Sequence, residues 1–268
     1  MDFIFIPEKG AFRMTEVLKL SPSTDGDGAS VTRLMPTRAL HFLDPFLLLD
    51  HFAVRPPAGF PPHPHRGFEI ITYMLEGAFR HEDDAGHAGV IPTGGAQRIT
   101  SGSGIWHSEM PATDGVNEGL QLWINLPRAE KGIAPGYQDV PSEAFPVRTE
   151  GGVTVKTIVG VGSPIEIKRP MRYEDIALED GKQYRWTIPA GDQGFLYMLD
   201  ASVRVELFGG PSDGRVLDVD RGSALIVRSG EASEMEIVAL EPGKRARFVI
   251  AFGTPIGERP IFRGSFVD

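Results

Sequence analysis

The stretch Pro61-Pro62-His63-Pro64-His65-Arg66-Gly67-Phe68-Glu69 and its companion Gly104-Ile105-Trp106-His107-Ser108-Glu109-Met110-Pro111 decide how the rest of the chain is read. Each carries two chemistry-bearing residues spaced i, i+2: His63 with His65, and His107 with Glu109. On an extended strand that spacing sets both side chains on one face, because successive residues alternate sides. Two such strands facing each other would converge three imidazoles and one carboxylate on a point. That donor set suits a divalent transition metal and leaves positions open for water or a substrate.

Composition agrees with a β-rich chain. The 268 residues include 32 Gly and 22 Pro, which favour short strands and tight turns over long helices. Period-two patterning runs outward from the two histidine stretches. Phe68 to Leu75 reads as one strand, and Leu120, Leu122, Ile124 and Leu126 alternate with Gln121, Trp123 and Asn125 as another. In the second half 153–159, 195–199, 224–227, 235–240 and 247–252 read the same way, while 173–179 is the one candidate for a helical turn or two. The Pro-rich segment 135–145 reads as a linker between residues 1–134 and 146–268. Tyr73-Met74-Leu75-Glu76-Gly77-Ala78-Phe79-Arg80 is echoed by Tyr197-Met198-Leu199-Asp200-Ala201-Ser202-Val203-Arg204, a weak repeat pointing to two equivalent halves. All seven histidines lie in the first half, so a histidine-ligated metal belongs there.

Charge and chemistry narrow the function classes. The net charge of −9 with no Lys/Arg cluster argues against a nucleic-acid-binding surface. The absence of cysteine removes disulfides, thiolate ligands and a thiol nucleophile. Met1 to Pro7 lacks the basic start and apolar stretch of a signal peptide, and the apolar run 45–49 is too short to cross a membrane. A cytoplasmic protein, monomeric by default, is the expectation.

The two histidine blocks at this separation, together with Asp44-Pro45-Phe46, Asp50-His51-Phe52, His81-Glu82-Asp83, Gly86-His87 and Leu120-Gln121-Leu122-Trp123-Ile124-Asn125-Leu126-Pro127, resemble the pirins, members of the cupin superfamily. The tail Gly253-Thr254-Pro255-Ile256-Gly257-Glu258-Arg259-Pro260 fits more loosely. The resemblance implies an all-β bicupin: two tandem, jelly-roll-like cupin β-barrels face to face, residues 1–134 carrying the metal and 146–268 lacking ligands. By motif match His63, His65, His107 and Glu109 take the ligand positions, with Fe(II) the usual metal of the family. The same donors accept Zn, Ni, Mn or Cu. Two positions depart from the general cupin pattern: Ile70 stands where a glutamate is usual, with Glu69 just before it, and Gln97 stands where a histidine is usual. Both departures are normal for pirins.

Each residue also has a plainer reading. Glu109 is a ligand, a general base for a hydroxylated substrate, or both. Glu69 either holds an imidazole N–H from behind or pairs with Arg66 or Arg80, and Gln97 reaches toward the site. Phe46, Phe52, Trp106 and Met110 are candidates for an aromatic substrate pocket or for ordinary core. His81 and His87 flank an acidic turn and read as a solvated hairpin rather than a second metal site. His51 reads as a structural hydrogen-bonder. Several bacterial pirins resemble quercetin 2,3-dioxygenases and others are described as regulators. The resemblance therefore implies either a metal-dependent dioxygenase taking a small aromatic substrate such as a flavonol and O₂, or an iron-dependent regulator that binds a protein partner. A structural metal in a non-catalytic bicupin is the third possibility.

Overall fold

A computed structural model describes residues 15–268. The N-terminal stretch read above for a leader lies outside them. The regular structure of the described residues is nearly all strand, with two three-residue 3-10 turns at Arg128–Glu130 and Ser142–Ala144 and no helix long and apolar enough to cross a membrane. The all-β, jelly-roll cupin expectation holds. Each half is a large seven-stranded sheet paired with a small four-stranded one, and these sheets stay open rather than closing into continuous barrels.

In the N-terminal half the large sheet runs, edge to edge, Gly136–Val140, Ala96–Thr100, Phe68–Glu76, Asn117–Asn125, Phe46–Val54, Ala29–Met35, Ser21–Asp25. Its small sheet runs Phe60–His65, Ile105–Pro111, Ala78–Asp83, Ala88–Pro92. The C-terminal half repeats the plan with Glu16–Lys19, Ser223–Val227, Gln193–Asp200, Ala246–Gly253, Met171–Leu178, Val153–Val159 and Val147–Glu150 in its large sheet. Gln183–Thr187, Glu234–Ala239, Val203–Phe208 and Val216–Val219 form its small sheet. The echoed Tyr73 and Tyr197 segments hold the same place, each running from an inner strand of the large sheet into a strand of the small one.

Period two explains where the core lies. Along Asn117–Asn125, Leu120, Leu122 and Ile124 join Ile71, Tyr73 and Leu49 on one face of the N-terminal large sheet. That face packs against Tyr173, Phe195, Tyr197, Val249 and Ala251 of the other large sheet, so the two halves meet sheet to sheet. The alternate residues face inward, into each half. In the C-terminal half this interior is filled by Ile176, Trp186, Val203, Val205, Leu225, Ile237 and Phe248, leaving a solid apolar core.

Two segments differ from the sequence reading. Residues 173–179 are not helical; all but Glu179 belong to Met171–Leu178, an inner strand between Val153–Val159 and Ala246–Gly253. Its acidic residues suggest an exposed helix, yet tertiary partners satisfy them. Glu174 accepts from the Trp186 indole at 2.7 Å, and Asp175 accepts from Arg247 at 2.6 and 3.1 Å. Within the stretch read as a linker, Gly136–Val140 pairs with Ala96–Thr100, with Pro135 and Pro141 just outside the paired residues. The ends of the described chain also cross over. Glu16–Lys19 pairs with Ser223–Val227 of the C-terminal half, and the hairpin Phe262–Arg263/Phe266–Val267 reaches back to Arg66 of the N-terminal half.

A matched pair of polar clasps crosses the largely apolar interface between the halves. Tyr73 donates to the buried Asp175 carboxylate at 2.7 Å, which Arg247 also grips. Tyr197 shares a 2.7 Å hydrogen bond with His51 Nδ1, whose Nε2 lies 2.7 Å from Glu118. Each echoed tyrosine thus reaches a polar pair on the opposite half. Because Tyr73→Phe leaves a buried carboxylate short of one donor, it is expected to lower unfolding stability by roughly 1.5–3 kcal/mol. Urea denaturation read by fluorescence checks this, an unchanged midpoint counting against the clasp.

Candidate metal centre

The strand Phe60–His65 holds three prolines, Pro61, Pro62 and Pro64, none able to donate to a ladder. It therefore lies at a sheet edge, its one neighbour among the described strands being Ile105–Pro111. In that antiparallel pair His107 stands opposite His63, and the register shifts by one residue before Glu109 comes opposite Phe60. Alternation then turns His63, His65, His107 and Glu109 to the same inner side. One nitrogen from each imidazole lies within 4.8 Å of the others. His63 Nε2 and His65 Nε2 are 3.0 Å apart, and neither nitrogen of the buried His107 has a hydrogen-bond partner among the described residues.

Three nitrogens facing one point, one of them on a buried ring with neither nitrogen hydrogen-bonded among the described residues, is the arrangement a divalent cation satisfies. The electrostatics keep the lone pairs available. Burial pushes the His107 imidazole down to about 2, the neighbouring His63 and His81 adding to the effect. Burial likewise drives His65 well below its ordinary range, helped by His107 and His63. Both rings are neutral at physiological pH.

Glu109 stands outside this trio of nitrogens. It is fully buried, and one carboxylate oxygen accepts from Gln97 at 2.5 Å and Thr72 at 2.8 Å, the other from Gln121 at 2.7 Å. Gln97, at the position where the general cupin pattern has a histidine, thus reaches Glu109. Glu69 reaches no histidine. It shares a strand face with Ile71 and Tyr73, and it accepts from Thr100 at 2.8 Å and from the Lys168 backbone N–H at 2.9 Å, tying the two halves together. Burial lifts its carboxyl above the ordinary range.

His63 and His65 open on a cavity of about 470 Å³ whose walls include Phe52, Phe60, Trp123 and Phe262, with Arg33, Asp50 and Asp25 forming a polar side and Gln121 and Leu48 also lining it. Of the four pocket candidates only Phe52 lines it. Phe46 is buried between the halves, its ring 5.5 Å from Phe195. Trp106 is 53% exposed and Met110 packs over Gly59, because both alternate with His107 and Glu109 and so point the other way. The wall that sequence reading missed is Trp123, stacked on Phe68 at 4.3 Å and edge-on to His65 at 4.9 Å. Its place beside Gln121 on the polar side of an alternating strand was the available signal: that side faces the cavity rather than solvent.

The hairpin Ala78–Asp83/Ala88–Pro92 is present, but His81 is not solvated. It is fully buried, stacks on Tyr137 at 4.4 Å and lies 5.4 Å from the His107 ring. The pairing of Ala78–Asp83 with Ile105–Pro111 sets His81 opposite Glu109, and this carries it inward.

Comparison with known proteins bears on this site. The Pirin family model matches residues 28–124, the segment that supplies all three histidines. A pirin-like protein of Solanum lycopersicum is 42% identical over 247 residues, covering 91% of this chain and 82% of that protein. The chain belongs to the pirin family. Among solved structures, a quercetin 2,3-dioxygenase from Acinetobacter baumannii superposes with a TM-score of 0.81 at 27% identity, over 95% of this chain and 92% of that one. A bacterial pirin from Escherichia coli in complex with nickel(II) shares the fold at 21% identity, with a TM-score of 0.72 over 90% of this chain and 99% of that one.

A divalent metal that binds the trio in the folded protein and not in the unfolded chain stabilises the native state by mass action. About 2.7 kcal/mol is expected at a hundredfold excess over Kd. Differential scanning fluorimetry of chelator-treated protein should show the melting midpoint rise on adding Ni(II) or Fe(II), and His107→Ala should abolish the rise. An equal rise in the variant would place the metal elsewhere.

Proposed function

We propose that this member of the pirin family is a metal-dependent dioxygenase able to cleave flavonols such as quercetin with O₂. The observation that carries the reading is the junction of the histidine trio with an aromatic-walled cavity of about 470 Å³, a size that accommodates a ligand of two or three rings. The likeness to the Acinetobacter baumannii enzyme supports it.

His63, His65 and His107 would hold the ion, with Glu109 the fourth donor two residues along the same strand. Fe(II) is the first choice, and Zn, Ni, Mn or Cu suit the same donors. When bound, the metal supplies Lewis acidity and a template for substrate and O₂. Everything else falls to the chain. Phe52, Phe60, Trp123 and Phe262 offer flat apolar walls for a planar substrate and exclude water from around it. Gln97 and Thr72 both hold one oxygen of Glu109, while Gln121 alone holds the other. That second oxygen is the one to turn toward the ion or to take the proton of a substrate hydroxyl as general base. Gln121, which also lines the cavity, links any bound hydroxyl to this carboxylate.

The second reading, a regulator that docks on a protein partner, is favoured by one observation: Trp106 stands 53% exposed on the outer face of the strand that carries His107. The two readings part on a single experiment, quercetin turnover with O₂ uptake by metal-free protein reloaded with Fe(II), Ni(II) or Zn(II). Metal-dependent cleavage is expected, with His63→Ala losing both metal and turnover while its circular dichroism is kept. Glu109→Gln should retain part of the metal and slow turnover about 10²–10⁴-fold if Glu109 is the base. Stoichiometric metal binding with no turnover for any ion would move the function to partner binding.

A further inference from the structure

Residues 261–268 belong by sequence to the C-terminal half but lie on the strand that carries His63 and His65. Ile261 and Asp268 exchange two backbone hydrogen bonds of 2.9 and 3.0 Å, closing a small hairpin. The Val267 N–H donates to the Arg66 carbonyl at 3.0 Å, and the Val267 side chain is fully buried among Leu47, Phe68, Ile70, Ile99 and Ile105. The Arg66 guanidinium lies 5.3 Å over the Phe266 ring and pairs with Asp268. Gly67, at φ +91°, lets the arm approach this closely, since a Cβ there would run into the Val267 carbonyl oxygen. At the turn of the hairpin, the Ser265 carbonyl oxygen stands 3.4 Å from His65 Nδ1. Phe262, Gly264 and Ser265 then form one wall of the cavity.

We propose that this arm is a positioning element of the metal centre, the Ser265 carbonyl accepting from His65 Nδ1–H and so directing the lone pair of Nε2 toward His63 and His107. A neutral imidazole has one donor and one acceptor nitrogen, so a carbonyl on Nδ1 settles which is which. His63 obtains the same service locally, its Nδ1 lying 2.8 Å from the Pro61 carbonyl on its own strand. For His65 the carbonyl comes from 200 residues away. The inference rests on the metal reading of the trio, and it couples docking of the C-terminal arm to metal affinity.

The test uses full-length protein labelled with ¹⁵N. Long-range ¹H–¹⁵N spectra of the metal-free protein report the tautomer of each histidine, and titration calorimetry reports Ni(II) affinity. In the unaltered protein His65 should carry its proton on Nδ1. Val267→Asp, which expels the anchor, should give a mixture of tautomers at His65 alone and weaken Ni(II) about 10–100-fold, the range typical of lost supporting contacts. Val267→Ile should restore both. The double variant Phe266→Ala, Asp268→Asn keeps the buried anchor while removing both side-chain grips on Arg66, and it should shift His65 in the same direction should Val267→Asp fail to fold. Released arms with an unchanged His65 tautomer and unchanged Ni(II) affinity would overturn the proposal. So would an affinity loss that merely follows a lower metal-free melting midpoint with the tautomer kept. If the unaltered protein binds no Ni(II), the metal reading fails, while the tautomer spectra still decide the role of the arm.

Discussion

The antiparallel pairing of Phe60–His65 with Ile105–Pro111 is the constraint on which the site depends. Three prolines restrict the first strand to a sheet edge, so it has one neighbour and one register. That register sets His107 against His63, and the pleat turns His65 and Glu109 to the same side. Once fixed, it also determines what is excluded: Trp106, Ser108 and Met110 occupy the alternate positions of the same strand, away from His107 and Glu109. The second pairing, with Ala78–Asp83, brings His81 into the interior opposite Glu109.

A second consequence of period two is the division of labour between the halves. The inner strands of the N-terminal large sheet offer one face to the other half and the alternate face to their own interior. In the C-terminal half that interior is filled with apolar side chains, whereas in the N-terminal half it holds the histidines, the Glu109 network and a cavity. Burying the Glu109 carboxyl group is tolerable because three side-chain donors surround it. The solid second half, clasped to the first through Tyr73 and Tyr197, backs the sheet that carries Thr72, Gln97 and Gln121. It lends one more element, the C-terminal arm, directly to the site.

What was legible in the sequence is what the spacing of neighbouring residues determines. Strand alternation marked the His63/His65 and His107/Glu109 pairs, most of the strands and the echo between the halves, because side-chain direction on a strand is local and needs no knowledge of the partner. The same rule applied along the His107 strand would have removed Trp106 and Met110 from the cavity wall. The spacing of Gln121 and Trp123 placed them together on one face, but whether that face met water or a cavity depends on what lies opposite.

The tertiary structure decided the rest, for reasons of distance along the chain. Met171–Leu178 looks helical until Trp186 and Arg247 satisfy its acids. Glu69 looks like a support for the histidines until its strand face turns it toward Thr100 and Lys168. His81 looks solvated until strand pairing carries it beside His107. Phe262 and Ser265 reach the site from 200 residues beyond the strand they cover, and no local pattern announces such a contact. By itself the sequence determined which of these side chains share a strand face, His63 with His65 and His107 with Glu109, since an i, i+2 pair on a strand can face only one way. Which groups hold, wall and orient that set was decided by the pairing of strands remote in sequence.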